Sequence, residues 1–442
     1  MTEFFKRRTA LVKRTIDGFR NEDGGITVLN VFLVVVIALL GGVAIDMANL
    51  ITARTQLQIA ADVAAHAAIY TRDSEDKDDA KAKAVELALQ NMPDSVYGEI
   101  LTVDDIHFGT WDKASQTFTI NDDLRGAVYV KTDRLSEKAN AVTAFLLQFA
   151  GFNNFDVVTT SVFETYRPSC LREGFVAEER VDMQSNNGFY NGFCIHSNSH
   201  VEVNNNNFFE PGTIVSMPNV EDLVLPSSGF EKNEGLEAAL REGEMNIRIL
   251  DRIVDIENGM TDPDSRYYRD WVTQPEVITL EAGSKLNASE LTSGRVHEVK
   301  CGGSGTLTFQ AELFTDAVVM TDCEVKFQGS ELHDFTVISR ATSDDAISAS
   351  SNPIFGRDDD CADGGGAQIV TYGGYKSAAK LSMFGSQLLA AGDVNFAAQA
   401  SGIKGASIIA GGEIDGTSLA QMGFCGSGMT DNFEAEYFRM AG

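Results

Sequence analysis

The first clear pattern begins at Ile26, where twenty residues run to Ile45 without a charge and only Thr27 and Asn30 are clearly polar. At about 1.5 Å of rise per residue, a helix of that length spans roughly 30 Å, the hydrocarbon thickness of a bilayer. A cleaved secretory signal has a shorter apolar core, about 7–15 residues. The pattern therefore predicts an uncleaved transmembrane helix over residues 26–45. From Asp46 to Tyr70 there is no Gly or Pro, and Ala53, Leu57, Ala60, Ala61, Ala64, Ala65, Ala67 and Ala68 form a broad face of small residues. The helix is expected to continue past the membrane. Such a face admits a close neighbour, either the chain's own head or a partner helix. The functional expectation is assembly, through Asp46, Leu57, Ala61, Asp62, Ala64 and Ala65.

Residues 46–166 then alternate between two periods. Asp76 to Met92 is acidic at its start, rich in Ala and Leu, and followed by Pro93, which predicts a helix. Short runs at Glu99–Val103, Ile106–Thr110, Thr117–Ile120 and Gly126–Lys131 predict strands, separated by turns such as Asn121-Asp122-Asp123. Leu135–Phe149 reads as a second amphipathic helix and Asp156–Thr165 as another strand, with Trp111 as a core anchor. A long helix on a small antiparallel sheet is a pilin-like α/β head.

The texture changes at Arg167 to short strands among Asn and Gly clusters. Leu388–Val394 and Ile408–Ile414 match conservatively at every position, twenty residues apart, and Val318-Val319 recurs nineteen residues later as Val337-Ile338. A fixed period near twenty favours the rungs of a parallel β-helix over a β-sandwich, which would show no such period. Phe230–Met260 interrupts with a helical pattern, Leu236, Leu240, Ile247, Leu250 and Val254 lying along one face. It is expected to cap an open solenoid end. The predicted fold class is thus α+β: a basic segment 1–25, a transmembrane helix 26–45, a pilin-like domain 46–166, and a β-helix-like domain 167–442 with a helical insertion at 230–260.

Charge narrows the function. Acidic residues outnumber basic ones 64 to 35, a formal charge of −29 that repels phosphate backbones and excludes a general nucleic-acid binder. Before the apolar span lie Lys6, Arg7, Arg8, Lys13, Arg14 and Arg20 against four acidic residues. Positive flanks stay in the cytoplasm, so the ectodomain is expected outside: periplasmic or surface-exposed, if the host is bacterial. Cys170, Cys194, Cys301, Cys323, Cys361 and Cys425 all lie on that oxidising side and read as disulfides. Pairing in sequence order (170–194, 301–323, 361–425) is the simplest scheme. Asp358, Asp359, Asp360 and Asp363 crowd a glycine-rich turn that could hold calcium, although the spacing is not that of an EF-hand. His196 and His200 have the i, i+4 spacing of a helical metal site but sit in a strand-and-turn segment. No Gly-x-Ser-x-Gly elbow or P-loop occurs, so no catalytic residue and no cofactor is assigned.

One stretch resembles a known family. Glu22-Asp23-Gly24-Gly25-Ile26-Thr27, the apolar span, Gly42-Val43-Ala44-Ile45-Asp46-Met47, Thr55-Gln56-Leu57-Gln58 and Ala60-Ala61-Asp62-Val63-Ala64-Ala65 follow in the order of TadG-like proteins of tight-adherence (Flp) pilus assembly. The resemblance covers roughly residues 18–70 and extends weakly over Phe108–Asp112, Ala127–Val130, Asn140–Phe152 and Val157–Phe163. Five residues after Gly25 stands Asn30, where pilin-type processing sites carry glutamate. The Asp-x-Ser-x-Ser motif of the von Willebrand A domain is missing, since Asp345-Ala-Ile-Ser348-Ala-Ser350 has the wrong spacing. The resemblance implies a non-enzymatic, inner-membrane pilus-assembly or adhesion component. Other pilus-assembly or pseudopilin subunits would be its partners, and the N-terminal helix would support a homo- or hetero-oligomer. The alternative is a membrane-tethered β-helix that binds or cleaves polysaccharide.

Overall fold

The computed structural model describes residues 23–301, 305–360, 362–416, 418–425 and 429–441; most of the basic N-terminal segment and Cys361 lie outside them. The chain forms two units, one running to Tyr166 and resuming at Tyr437, the other Arg167–Glu436. The last strand, assigned from sequence to the solenoid, therefore belongs to the head.

In the first unit, α1 (Asp23–Arg72) is one unbroken helix of 50 residues. The helix α2 (Lys77–Asn91) starts at Asp76, whose carboxylate accepts the N–H groups of Asp78 and Asp79. Strands β1 (Ile106–Asp112), β2 (Thr117–Ile120), β3 (Ala127–Arg134), β4 (Val157–Tyr166) and β5 (Tyr437–Met440) form an antiparallel sheet in the order β2-β1-β3-β4-β5. Ala60, Ala64, Ala65 and Ala68 of α1 pack with Ala80, Ala84 and Ala88 of α2 and with Val128 and Val130 of β3. Methyl-sized side chains let these backbones approach closely.

Two expected elements differ. Glu99–Val103 forms no strand, and a 3-10 turn follows at Val103–Asp105, closed by a Thr102–Asp105 capping box. Leu135–Phe149 is not a helix but two 3-10 turns, Ser136–Lys138 and Leu147–Ala150, flanking a short strand. Asn140 explains the break: its side-chain oxygen accepts the Leu135 N–H at 2.6 Å and its amide donates to the Glu99 carbonyl at 2.8 Å. Local side-chain bonds of this kind outcompete a marginal helix.

The second unit is a parallel β-solenoid. Leu388, Leu389 and Ala390 pair with Ile408, Ile409 and Ala410, the step of twenty predicted above. The earlier repeat is one residue shorter than expected, Val319 pairing with Val337 and Met320 with Ile338. A slip of one residue exchanges the faces of a strand: Val319 and Val337 line the interior, while Met320 and Ile338 point outward.

The coils are not stacked in chain order. Gly174–Ala177 pairs with Cys194–Ser197 on one side and with Ser407–Ala410 on the other. The chain thus enters mid-stack and builds coils 174–242 toward one end. Residues 243–273 carry it back to the far end, and coils 274–423 return to meet the first. The seam is closed by the Ala420 N–H, which donates to Asn187 Oδ1 across 233 residues. From there a buried ladder continues, Asn187 N–H to Asn207 Oδ1 at 2.8 Å and Asn207 N–H to Asn233 Oδ1 at 3.1 Å. Phe189 and Phe209 stack beside it, centroids 4.8 Å apart.

The predicted insertion is redistributed. Asn233–Glu234, Leu236–Ala239 and Leu240–Glu242 belong to the terminal coil, and the later helix is only Ile253–Gly259. The return segment does not cap an end. Its Ile247, Ile253, Ile256 and Met260 lie along a side of the stack, over the outward residues Met320, Ile338, Val370, Leu389, Ile409 and Val176. An apolar column facing outward demands such a cover.

Candidate functional site

The most constrained polar group of the head sits where α1 leaves its apolar half. Asp46 is fully buried. Its carboxylate accepts the backbone N–H groups of Phe145 (2.7 Å), Leu146 (3.0 Å) and Leu147 (2.6 Å). One turn earlier, a Cβ placed on Gly42 would lie 3.1 Å from Leu146 Cβ, so glycine lets the loop rest on the helix. The segment 144–152 is thereby fastened to α1 over residues 42–46. Asp62, by contrast, is half-buried and accepts from Gln58 Nε2 at 2.8 Å.

On the solenoid, the return segment is locked by charge as well as by apolar contact. Arg340 bridges Glu257 and Glu298, and the Tyr372 hydroxyl donates to Glu257 Oε2 at 2.6 Å. The Glu298 hydrogen bond holds the Arg340 guanidinium above its ordinary value. Arg269, buried, donates to the carbonyls of Tyr267 and Asp431 and lies 4.2 Å from the Phe433 ring centroid. Burial pulls its guanidinium down to about 10.

Another side carries carboxylates in register: Asp415 pairs with Asp182, and Asp182 with Glu202. Arg180 binds Glu413 at 2.7 Å and Glu202 at 3.3 Å. Burial first, then the neighbouring Asp415 and Glu202, push the Asp182 carboxyl above its usual range. An open groove of about 500 Å³ lies on the solenoid, lined by Tyr190, Asn191, Lys404, Gln421 and Phe424 beside Asp360.

A family model described as a domain of unknown function, DUF7867, matches residues 174–426, more than half of the chain. The chain belongs to that family. The DUF7867 match opens at the first solenoid strand and ends just past Gln421–Gly423, the two strands' coils being those that meet at the seam. A second model, Flp pilus-assembly TadE/G-like, matches residues 24–82, which is α1 from its second residue and the beginning of α2. This match identifies the α1 segment as TadE/G-like and supports a pilus-related component, with α1 fitting a single-pass anchor. No curated protein and no solved structure matches the chain.

The structure distributes the residues singled out from sequence. Leu57, Ala61, Ala64 and Ala65 are fully buried in the chain's own head, so the small-residue face is core and not a free assembly surface. Cys170–Cys194 and Cys301–Cys323 are disulfides, and Cys425 is disulfide-bonded; its predicted partner Cys361 lies outside the described residues. The acidic turn is engaged by cationic side chains: Asp360 by Lys404, and Asp359 by Arg357 at 3.5 Å. Among the described residues no group of three His, Cys, Asp or Glu is placed to hold a metal. His196 is a buried strand histidine, hydrogen-bonded to Ser216 Oγ (2.7 Å) and Asn198 Oδ1 (2.8 Å), and burial lowers its pKa. His200 lies beside Glu202 instead, at 3.3 Å. Sequence reading missed the ladder because Asp415 comes from the other end of the domain sequence, while Asp182 and Glu202 stand one twenty-residue step apart. The alternation in Val181-Asp182-Met183 was the available signal.

Proposed function

We propose that this DUF7867 protein is a non-enzymatic component of a tight-adherence (Flp) pilus assembly and adhesion system. In this reading it spans the bacterial inner membrane once, with its N-terminus cytoplasmic and its head and solenoid outside. One observation carries the proposal: the TadE/G-like match falls on a helix that is uncharged over Ile26–Ile45, exposed all round as far as Gly41, and becomes head core beyond Asp46. A single helix fits a single-pass anchor and a scaffold at once. The disulfides support an oxidising compartment. With the alanine face buried, contacts to pilus-assembly or pseudopilin subunits fall to the exposed side of α1 and to the ectodomain surface.

A second reading, polysaccharide binding or cleavage, has one observation in its favour: the raised Asp182 carboxyl in its in-register ladder, the property of a general acid. Complementation of a deletion strain separates the two. Pilin export and surface attachment should be restored by Asp182→Asn with Glu202→Gln. They should not be restored when Ile26–Ile45 is replaced by a cleavable signal. The reverse outcome rejects the assembly role.

A further inference from the structure

We propose that the head loop 144–152 is a membrane-docking element that enters the headgroup and upper acyl region of the phospholipid bilayer beside the helix. The inference rests on the reading of Ile26–Ile45 as a membrane anchor and adds a second, separate contact with lipid.

The first ground is composition with exposure. Ala144-Phe-Leu-Leu-Gln-Phe-Ala-Gly-Phe152 has no charge in a chain of net −29. Phe145 is 55 % exposed, Phe149 86 % and Phe152 62 %. Three exposed phenylalanines within eight residues are costly to leave in water.

The second ground is level. Leu146 rests on Gly42, and Asp46 holds the loop backbone. Gly42 lies three residues inside the apolar run, so the loop reaches about 5 Å into it. Interfacial elements bury their apolar faces about 5–10 Å deep. Leu39, Leu40 and Val43 of the helix are exposed at the same height, so the loop widens a surface that already faces lipid.

The third ground is backbone accounting, which a lipid-exposed loop must satisfy internally. Asp46 takes the N–H groups of Phe145, Leu146 and Leu147. Ala144 donates to Asn153, Phe149 to Leu146, Gly151 to Gln148 and Phe152 to Leu147. The Gln148 amide donates to the Phe145 carbonyl at 2.7 Å. The Asp46 carboxylate that holds the loop is itself buried.

The test uses the full chain reconstituted in phosphatidylcholine–phosphatidylglycerol vesicles whose acyl chains are brominated near the headgroup, or near the chain ends for the mid-bilayer reporter. Phe149→Trp is compared with the parent chain, whose Trp111 and Trp271 set the baseline, and with Val35→Trp as a reporter of the anchor. The expected result is that the emission added by Phe149→Trp is blue-shifted and mostly lost to bromine, and that the emission added by Val35→Trp is quenched too. Adding Asp46→Ala to Phe149→Trp should restore much of the emission by releasing the loop. If the Val35→Trp variant is quenched and the Phe149→Trp variant is not, the docking proposal fails while the anchor stands. If neither is quenched, the anchor reading fails. A loop indole that shifts only in native membranes holding other pilus components marks a protein partner and overturns the lipid assignment.

Discussion

Alanines 60, 61, 64, 65 and 68 show how one side-chain size can serve opposite expectations. A methyl stripe admits any close neighbour, and sequence alone does not say which. Here the neighbours are α2 and β3 of the same chain, and no room is left at Ala64. Ala64→Leu should therefore destabilise the head by about 1–3 kcal/mol through overpacking. Gln56→Leu, on the exposed side, should leave the urea midpoint nearly unchanged. The asparagine ladder makes a second prediction. Asn207 accepts the Asn187 N–H and donates to the Asn204 carbonyl at 2.8 Å, all inside the solenoid. Asn207→Ala leaves buried groups without partners and should cost about 1–3 kcal/mol, read as a lowered midpoint in denaturant.

Among elements, β5 is tied to β4 by a charged cluster as well as by its backbone ladder. Glu164 of β4 accepts from Arg439 of β5 at 2.6 Å and from Lys113 at 3.1 Å. Burial works against its charge, but those two bonds outweigh it and hold the carboxyl below its usual range. A depressed carboxylate stabilises the fold above its unfolded pKa of about 4.3 and loses that contribution as pH falls through the folded value. The difference in melting temperature between the parent and Glu164→Gln should thus be present at neutral pH and disappear on acidification below about 4. A difference that does not vary with pH rejects the assignment. How much could be read in advance divides at this scale. The Ile26–Ile45 span, α2 and the step between Leu388 and Ile408 were legible because each repeats a period over many residues. Leu135–Phe149 was not, because one asparagine outbids a weak helix, and neither was the Val319–Val337 step, where one residue decides the face. The candidate sites fared less well. Asp46 could be named, but not the loop it holds, since nothing local links it to residues 145–147.

For the whole molecule, the order of coils matters more than their number. The first coil in sequence is an interior coil of the stack, bounded on one face by Val394–Ala410 and the strands that follow it. A chain ending at Gly392 should therefore expose Phe175 and Val181, about 200 residues from the cut. Pulse proteolysis should find the Gly174–Phe209 coils cleaved in that truncated form and protected in the full chain. Intact early coils would show that the seam contributes little.

The seam also places a clock on biogenesis. Asn187 is synthesised 233 residues before Ala420, the group that closes it. At about 5–20 residues per second, roughly 10–50 s separate the two. Throughout that interval the first coil presents an unpaired parallel edge, the kind of edge that recruits other strands. On the export route proposed above, the chain therefore calls for a holding chaperone or slow handover over about half of its synthesis. Depleting such a factor should harm this chain sooner than a solenoid whose coils are stacked in the order they emerge.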